Sequence, residues 1–171
     1  VTVPLQIDSS SIEAIETGAR YYNGKPLINS VNGKQATMEA IFPIVKKYGG
    51  GIFGLTLDEK GIPETGAKRL AIARRLVETA ASYGIPKEDV MIDPLVLTAS
   101  AQQEQVQVTL ETLALLRNEL GVLTVAGLSN VSFGLPNREL LNSTFLATAV
   151  ASGLTTPIVN PLSDSLMNTV R

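Results

Sequence analysis

Two short apolar segments of this 171-residue chain each end in a carboxylate, Pro4-Leu5-Gln6-Ile7-Asp8 and Val90-Met91-Ile92-Asp93. A carboxylate at the end of a buried strand needs donors, and leaving such a group unpaired costs about 1–3 kcal/mol or more. A flat heterocycle with amino and ring N–H groups would satisfy both carboxylates, each bidentately. The same pair could serve as acid and base in glycoside hydrolysis, although the chain contains no Trp to stack on a sugar. Leu27-Ile28-Asn29-Ser30 places an amide, which both donates and accepts, between the two carboxylates in chain order. Gly127-Leu128-Ser129-Asn130-Val131-Ser132-Phe133-Gly134 supplies a second amide and two hydroxyls on a flexible loop, and Asn137-Arg138 follows. Arg138 is a fixed cation suited to stacking on an aromatic ring or meeting a carboxylate; a solvated helix residue is its simpler account.

What the chain lacks narrows the chemistry further. It has no Cys and no His, which rules out disulfides, thiol nucleophiles, imidazole acids or bases, and zinc held by thiolate or imidazole. No Lys closes an apolar segment, so a Schiff-base nucleophile is missing from this part of the chain. Lys25 precedes its segment, and Lys34 and Lys60 read as surface residues. The formal net charge is −2 and no basic run marks a nucleic-acid footprint. No stretch is long and apolar enough to span a bilayer, and the N-terminus lacks a signal-peptide pattern. The expectation is a soluble, cytoplasmic protein without a nucleic-acid or membrane partner.

The elements that must position these residues alternate between two periods. Short apolar runs predict strands over Pro4–Asp8, Pro26–Ser30, Gly51–Thr56, Val90–Asp93, Val122–Leu128 and Thr156–Asn160. Longer amphipathic stretches predict helices over Ser11–Tyr22, Ala36–Tyr48, Thr65–Tyr83, Gln103–Leu120 and Asn137–Ser152, with a last helix opening near Leu162. Gly49, Gly84, Gly121 and Gly153 stand where helices should stop. Each strand closes on a polar residue: Asp8, Asn29, Thr56, Asp93, Asn130 and Asn160. One such residue would simply cap the next helix; six in order predict convergence on the carboxyl face of a (β/α)₈ barrel. That barrel usually takes about 250 residues, so residues 1–171 are expected to form one domain covering strands 3 to 8 and lacking the first two βα units. An open doubly wound sheet is the alternative, but no Gly-rich phosphate loop follows any strand.

These motifs resemble the pterin-binding methyltransferase family, which includes the methyltetrahydrofolate domain of cobalamin-dependent methionine synthase and methyltetrahydrofolate:corrinoid iron–sulfur protein methyltransferase. The likeness rests on Leu5-Gln6-Ile7-Asp8-Ser9, Ile28-Asn29-Ser30, Gly54-Leu55-Thr56, Gly61-Ile62-Pro63, Ile92-Asp93-Pro94-Leu95, Leu128-Ser129-Asn130-Val131-Ser132, and Asn137-Arg138 with Thr144-Phe145-Leu146. The resemblance implies a TIM (β/α)₈ barrel of the dihydropteroate synthase-like, pterin-binding type. It implies that Asp8, Asn29 and Asp93 hold the pterin edge, that Ser129 and Arg138 complete the site, and that Asn130 lies near N5. The implied reaction moves a methyl group between N5 of methyltetrahydrofolate or tetrahydrofolate and a corrinoid (cobalamin) carried by a partner protein. A homodimer is left open. The family's first two strands have no counterpart here, and Phe133 stands where the relatives carry a polar residue. Dihydropteroate synthase and a non-catalytic folate-binding fragment are the rival readings; the first is opposed by Leu95-Val96-Leu97 and Ser129-Asn130-Val131, where that family has a Gly-rich stretch and a Lys.

Overall fold

The computed structural model describes residues 3–171. In chain order its elements are β1 (Gln6–Asp8), α1 (Ile12–Tyr21), β2 (Leu27–Asn32), α2 (Gln35–Tyr48), β3 (Gly51–Leu55), α3 (Gly66–Ser82), β4 (Val90–Asp93), α4 (Glu104–Leu115), β5 (Leu123–Gly127), α5 (Arg138–Ser152), β6 (Thr156–Ile158) and α6 (Asp164–Thr169). Every strand and helix expected from the periodicity is present. The four glycines expected to stop helices have φ between 57° and 121°.

The chain divides into two compact units, Val1–Pro63 with Ala71–Asp93 and Glu64–Leu70 with Pro94–Arg171. In the first, β1, β2, β3 and β4 lie side by side in chain order and all pair in parallel. Ile28, Ile52 and Ile92, one from each of three neighbouring strands, are fully buried together with Met38 and Phe42 of α2 and Leu76 of α3. The Ser11 hydroxyl caps α1 by accepting from the Ala14 N–H at 3.3 Å. At the start of α2, Lys34 offers no side-chain cap. There the Gln35 N–H donates to Glu59 Oε1 at 3.0 Å, from the loop after β3. Backbone N–H groups, its own and that of Gln35, hold the Glu59 carboxyl below the usual carboxylate range. That loop is also drawn against the end of β2: the Gly33 N–H donates to Leu57 O at 2.7 Å, and a Cβ on Gly33 would lie 2.9 Å from the same oxygen and 2.7 Å from Ile72 Cγ2.

In the second unit β5 and β6 pair in parallel, Val125 with Thr156 through Gly127 with Ile158. Its core joins Leu113, Ala126, Leu128, Phe145, Leu146 and Ala149 with flanking residues of the same unit. The helix expected through Leu120 is α-helical to Leu115 and widens into a π turn over Leu116–Leu120. Gly121 ends it with φ +57°, its N–H returning to Leu116 O at 2.9 Å, a left-handed closure that a side chain would strain. Thr124, buried in β5, exchanges hydrogen bonds with Thr155 and donates to Gly153 O at 2.7 Å, so its hydroxyl is satisfied where the sheet begins.

Candidate functional site

In the first unit, strand register decides which polar residues become neighbours. Asp8 pairs with Asn29, and Asn29 with Phe53; two rows further along, Asn32 pairs with Leu55 and Leu55 with Asp93. The register slips between Asn29 and Val31, and the Asn29–Ser30 peptide is cis. The Asn29 amide donates to Asp8 Oδ2 at 3.2 Å. Each carboxylate oxygen has further lone pairs, so Asp8 keeps acceptor capacity after this bond, and the orientation of the Asn29 amide leaves its carbonyl as a second acceptor. A cavity of about 500 Å³, within the size range of small-molecule sites, is lined by Asp8, Ser9, Asn29, Ser30, Asn32 and Thr37 among others, with Ile15 and Ile41 giving it an apolar side. Asp93 is half-buried. Its backbone carbonyl accepts from both the N–H (3.2 Å) and the hydroxyl (2.9 Å) of Thr56.

Two of the six strand-end polar residues are therefore spent on structure. Thr56 is fully buried and tethers the end of β4, while Asn160 closes a turn by accepting from the Leu162 N–H at 3.1 Å. Asn29 lies inside β2 and not at its end.

In the second unit the segment after β5 coils into a 3₁₀ turn over Leu128–Ser132. Ser129 and Asn130 are exposed, and the Asn130 amide folds back so that a Cβ on Gly127 would lie 3.5 Å from its Nδ2. Arg138 opens α5 and reaches back over this turn. Its Nε donates to Ser132 Oγ at 3.0 Å, its Nη2 donates to Ser129 O at 3.3 Å, and its guanidinium lies 4.7 Å from the centre of the Phe133 ring. The stacking capacity read from its side chain is thus used on the protein's own aromatic. Phe133 is fixed in turn through its carbonyl, which accepts from Thr98 Oγ1 at 2.9 Å and Ser100 Oγ at 2.8 Å.

A family model described as "Pterin binding enzyme" matches residues 1–160. The chain belongs to this family. Among its relatives, a methionine synthase of Mycobacterium leprae is 34% identical over 93% of the chain and 14% of that protein. A methylcorrinoid:tetrahydrofolate methyltransferase of Eubacterium limosum is 27% identical over 99% of the chain and 64% of that protein. The chain thus spans less than two thirds of either relative. A dihydropteroate synthase of Yersinia pestis solved with a sulfonamide matches with a TM-score of 0.74 at 15% identity, covering 99% of the chain and 64% of the synthase. A likeness at that identity shows the fold alone: over its length the chain has the dihydropteroate synthase fold.

The residues singled out from sequence fall into two sets. Asp8, Asn29 and Asp93 belong to the first unit, and Ser129, Asn130 and Arg138 to the second. The sequence reading missed Arg69, which is fully buried near the start of α3 and donates to Pro94 O, Leu95 O, Thr109 Oγ1 and Gln105 Oε1. The signal was present: Arg69, Ala73, Leu76 and Ala80 recur at helical spacing and are all fully buried, so the cation occupies a position of the apolar stripe. Among the described residues no His, Cys, Asp and Glu group is arranged to hold a metal ion, and no helix is long and apolar enough to cross a membrane.

Proposed function

We propose that this chain binds methyltetrahydrofolate or tetrahydrofolate and takes part in methyl transfer between N5 of the folate and the cobalt of a corrinoid carried by a partner protein. The observation that carries the reading is the Asp8–Asn29 row beside its cavity, with Asp93 two rows beyond, in a chain belonging to the pterin binding family. A carboxylate, an amide and a second carboxylate match the alternating donors and acceptors of a pterin edge. The name of the Eubacterium limosum relative supports the methyl-transfer chemistry and the folate partner.

In the forward direction the N5–CH₃ bond breaks and a cobalt–carbon bond forms. Cob(I)alamin supplies the electron pair for the new bond, while N5, having taken a proton from solvent, keeps the pair of the broken N5–C bond. A neutral tertiary amine leaves poorly, so positive charge on N5 must be supported. Asn130 provides that support, because its amide oxygen accepts from protonated N5 in a hydrogen bond that strengthens as the charge develops. Arg138, tied to Ser129, Ser132 and Phe133, fixes the turn that carries Asn130. With no His and no Cys, the chain offers neither imidazole nor thiolate to cobalt, which agrees with a corrinoid that enters as a substrate on another protein.

The test follows the absorbance of cob(I)alamin on mixing with methyltetrahydrofolate. Conversion to methylcobalamin that Asp8→Asn suppresses is the expected result. Dihydropteroate synthase, which shares the matched fold, is the alternative; condensation of a pterin pyrophosphate with 4-aminobenzoate, without methyl transfer, would establish it instead. Folate binding with neither activity would leave a binding module.

A further inference from the structure

We propose that Arg69 is a positioning residue for folate binding: it sets the backbone of Asp93-Pro94-Leu95 and, through that backbone, the direction of the Asp93 carboxylate. This inference rests on the folate reading above.

Arg69 is the largest of the fully buried side chains. Removing a guanidinium from water is expensive, so the fold keeps one only where its donors are well matched. Here Nη1 donates to Pro94 O at 2.8 Å and to Leu95 O at 3.1 Å, with Thr109 Oγ1 at 3.4 Å, while Nη2 donates to Gln105 Oε1 at 2.6 Å. Thr109, buried on α4, shares its one hydroxyl proton between Leu95 O at 3.0 Å and Gln105 O at 2.9 Å. The Asp93 carbonyl is held separately by the N–H and hydroxyl of Thr56. Three successive carbonyls, those of residues 93, 94 and 95, are therefore each fastened.

The fastening has a visible consequence. Leu95 adopts φ +67°, a left-handed conformation that a bulky side chain rarely takes, and one that persists only where the surroundings over-determine it. Its carbonyl is the atom that both Arg69 and Thr109 grip. The chain thus turns sharply two residues after a candidate ligand group, and a buried cation holds the turn. A planar fork is required: one guanidinium spans two carbonyls and two side chains, which the single ammonium of a lysine cannot do.

Calorimetric dissociation constants for methyltetrahydrofolate, together with single-turnover methyl transfer at saturating folate, test the idea on wild type, Arg69→Lys, Asp93→Asn and the double variant. Arg69→Lys is expected to raise the dissociation constant about tenfold and leave the saturated rate within about twofold, because the group it orients binds and does not react. The penalty of Asp93→Asn should shrink about threefold or more in the Arg69→Lys background, the coupling expected when one residue acts through the other. Thr109→Val, a gentler change that removes one grip on Leu95, should raise the dissociation constant about twofold to threefold. If Arg69→Lys does not fold, Thr109→Val decides: an unchanged constant overturns the proposal. A lower melting temperature with unchanged affinity and an unchanged Asp93 penalty also overturns it and makes Arg69 a structural residue, with the folate reading intact. A wild-type affinity indifferent to Asp93→Asn removes Asp93 from the site and overturns this proposal with the folate reading intact, whereas a wild type that does not bind methyltetrahydrofolate takes both down.

Discussion

Replacing Arg138 by alanine removes three contacts at once. These are hydrogen bonds to Ser132 Oγ (3.0 Å) and Ser129 O (3.3 Å), and the 4.7 Å approach to the Phe133 ring. A hydrogen bond from a charged donor contributes about 1.5–3 kcal/mol, and an exposed cation–π contact about 0.5–1 kcal/mol. Arg138 is exposed, so water competes for its donors and the hydrogen bonds fall below that range. The buried Ser132 hydroxyl also keeps its own bond to Ser129 O at 3.2 Å and is not orphaned. The net loss of stability should be about 2 kcal/mol. Phe133→Leu should cost about 0.5–1 kcal/mol, and a double-mutant cycle by urea unfolding should return a coupling of about the same size, since the pair shares one contact. Because the turn carrying Asn130 loses both tethers, methyl transfer should slow in single turnover while folate affinity changes by less than about threefold. Additive effects, within about 0.3 kcal/mol, would show that Arg138 does not lean on Phe133. A folate dissociation constant raised about tenfold or more would show that Arg138 grips the ring directly.

Asn130→Ala should spare folate binding and slow single-turnover methyl transfer about a hundredfold, because its hydrogen bond strengthens only as N5 gains charge; equal losses in affinity and rate would make it a binding residue. Gly33→Ala should lower stability by about 1–3 kcal/mol in urea, since its Cβ would lie 2.7 Å from Ile72 Cγ2 and 2.9 Å from Leu57 O; an unchanged midpoint would contradict that packing. The Lys47 ammonium, by hydrogen bond and by charge, holds the Glu16 carboxyl below its ordinary value of 4.5. A depressed folded value gives stability that is present above pH 4.5 and is lost as pH falls through the folded value. Thermal melts taken down to about pH 3 should show that loss in wild type and a weaker one in Glu16→Gln; identical slopes would mean that the ion pair contributes nothing.

The alternation of βα units was legible in the sequence because it rests on local rules: the period of the apolar residues and glycines at helix ends. The absence of His and Cys likewise excluded whole classes of chemistry from composition alone. What the sequence could not assign was the use to which each strand-end polar group is put, because hydrogen-bond partners are chosen by register and packing between residues far apart in the chain. Thr56 finds the Asp93 carbonyl 37 residues away and is consumed there, whereas Asn29 finds Asp8, 21 residues away, and leaves the carboxylate free to accept more. Arg138 reads as a surface cation until the turn after β5 brings Phe133 and two serines beneath it. Arg69 is the sharpest case: the helical period already puts it in line with Ala73, Leu76 and Ala80, but a cation in an apolar stripe reads as a break in the pattern. Only the tertiary structure, by folding the carbonyls of Pro94 and Leu95 against its donors, turns that break into a buried and satisfied group.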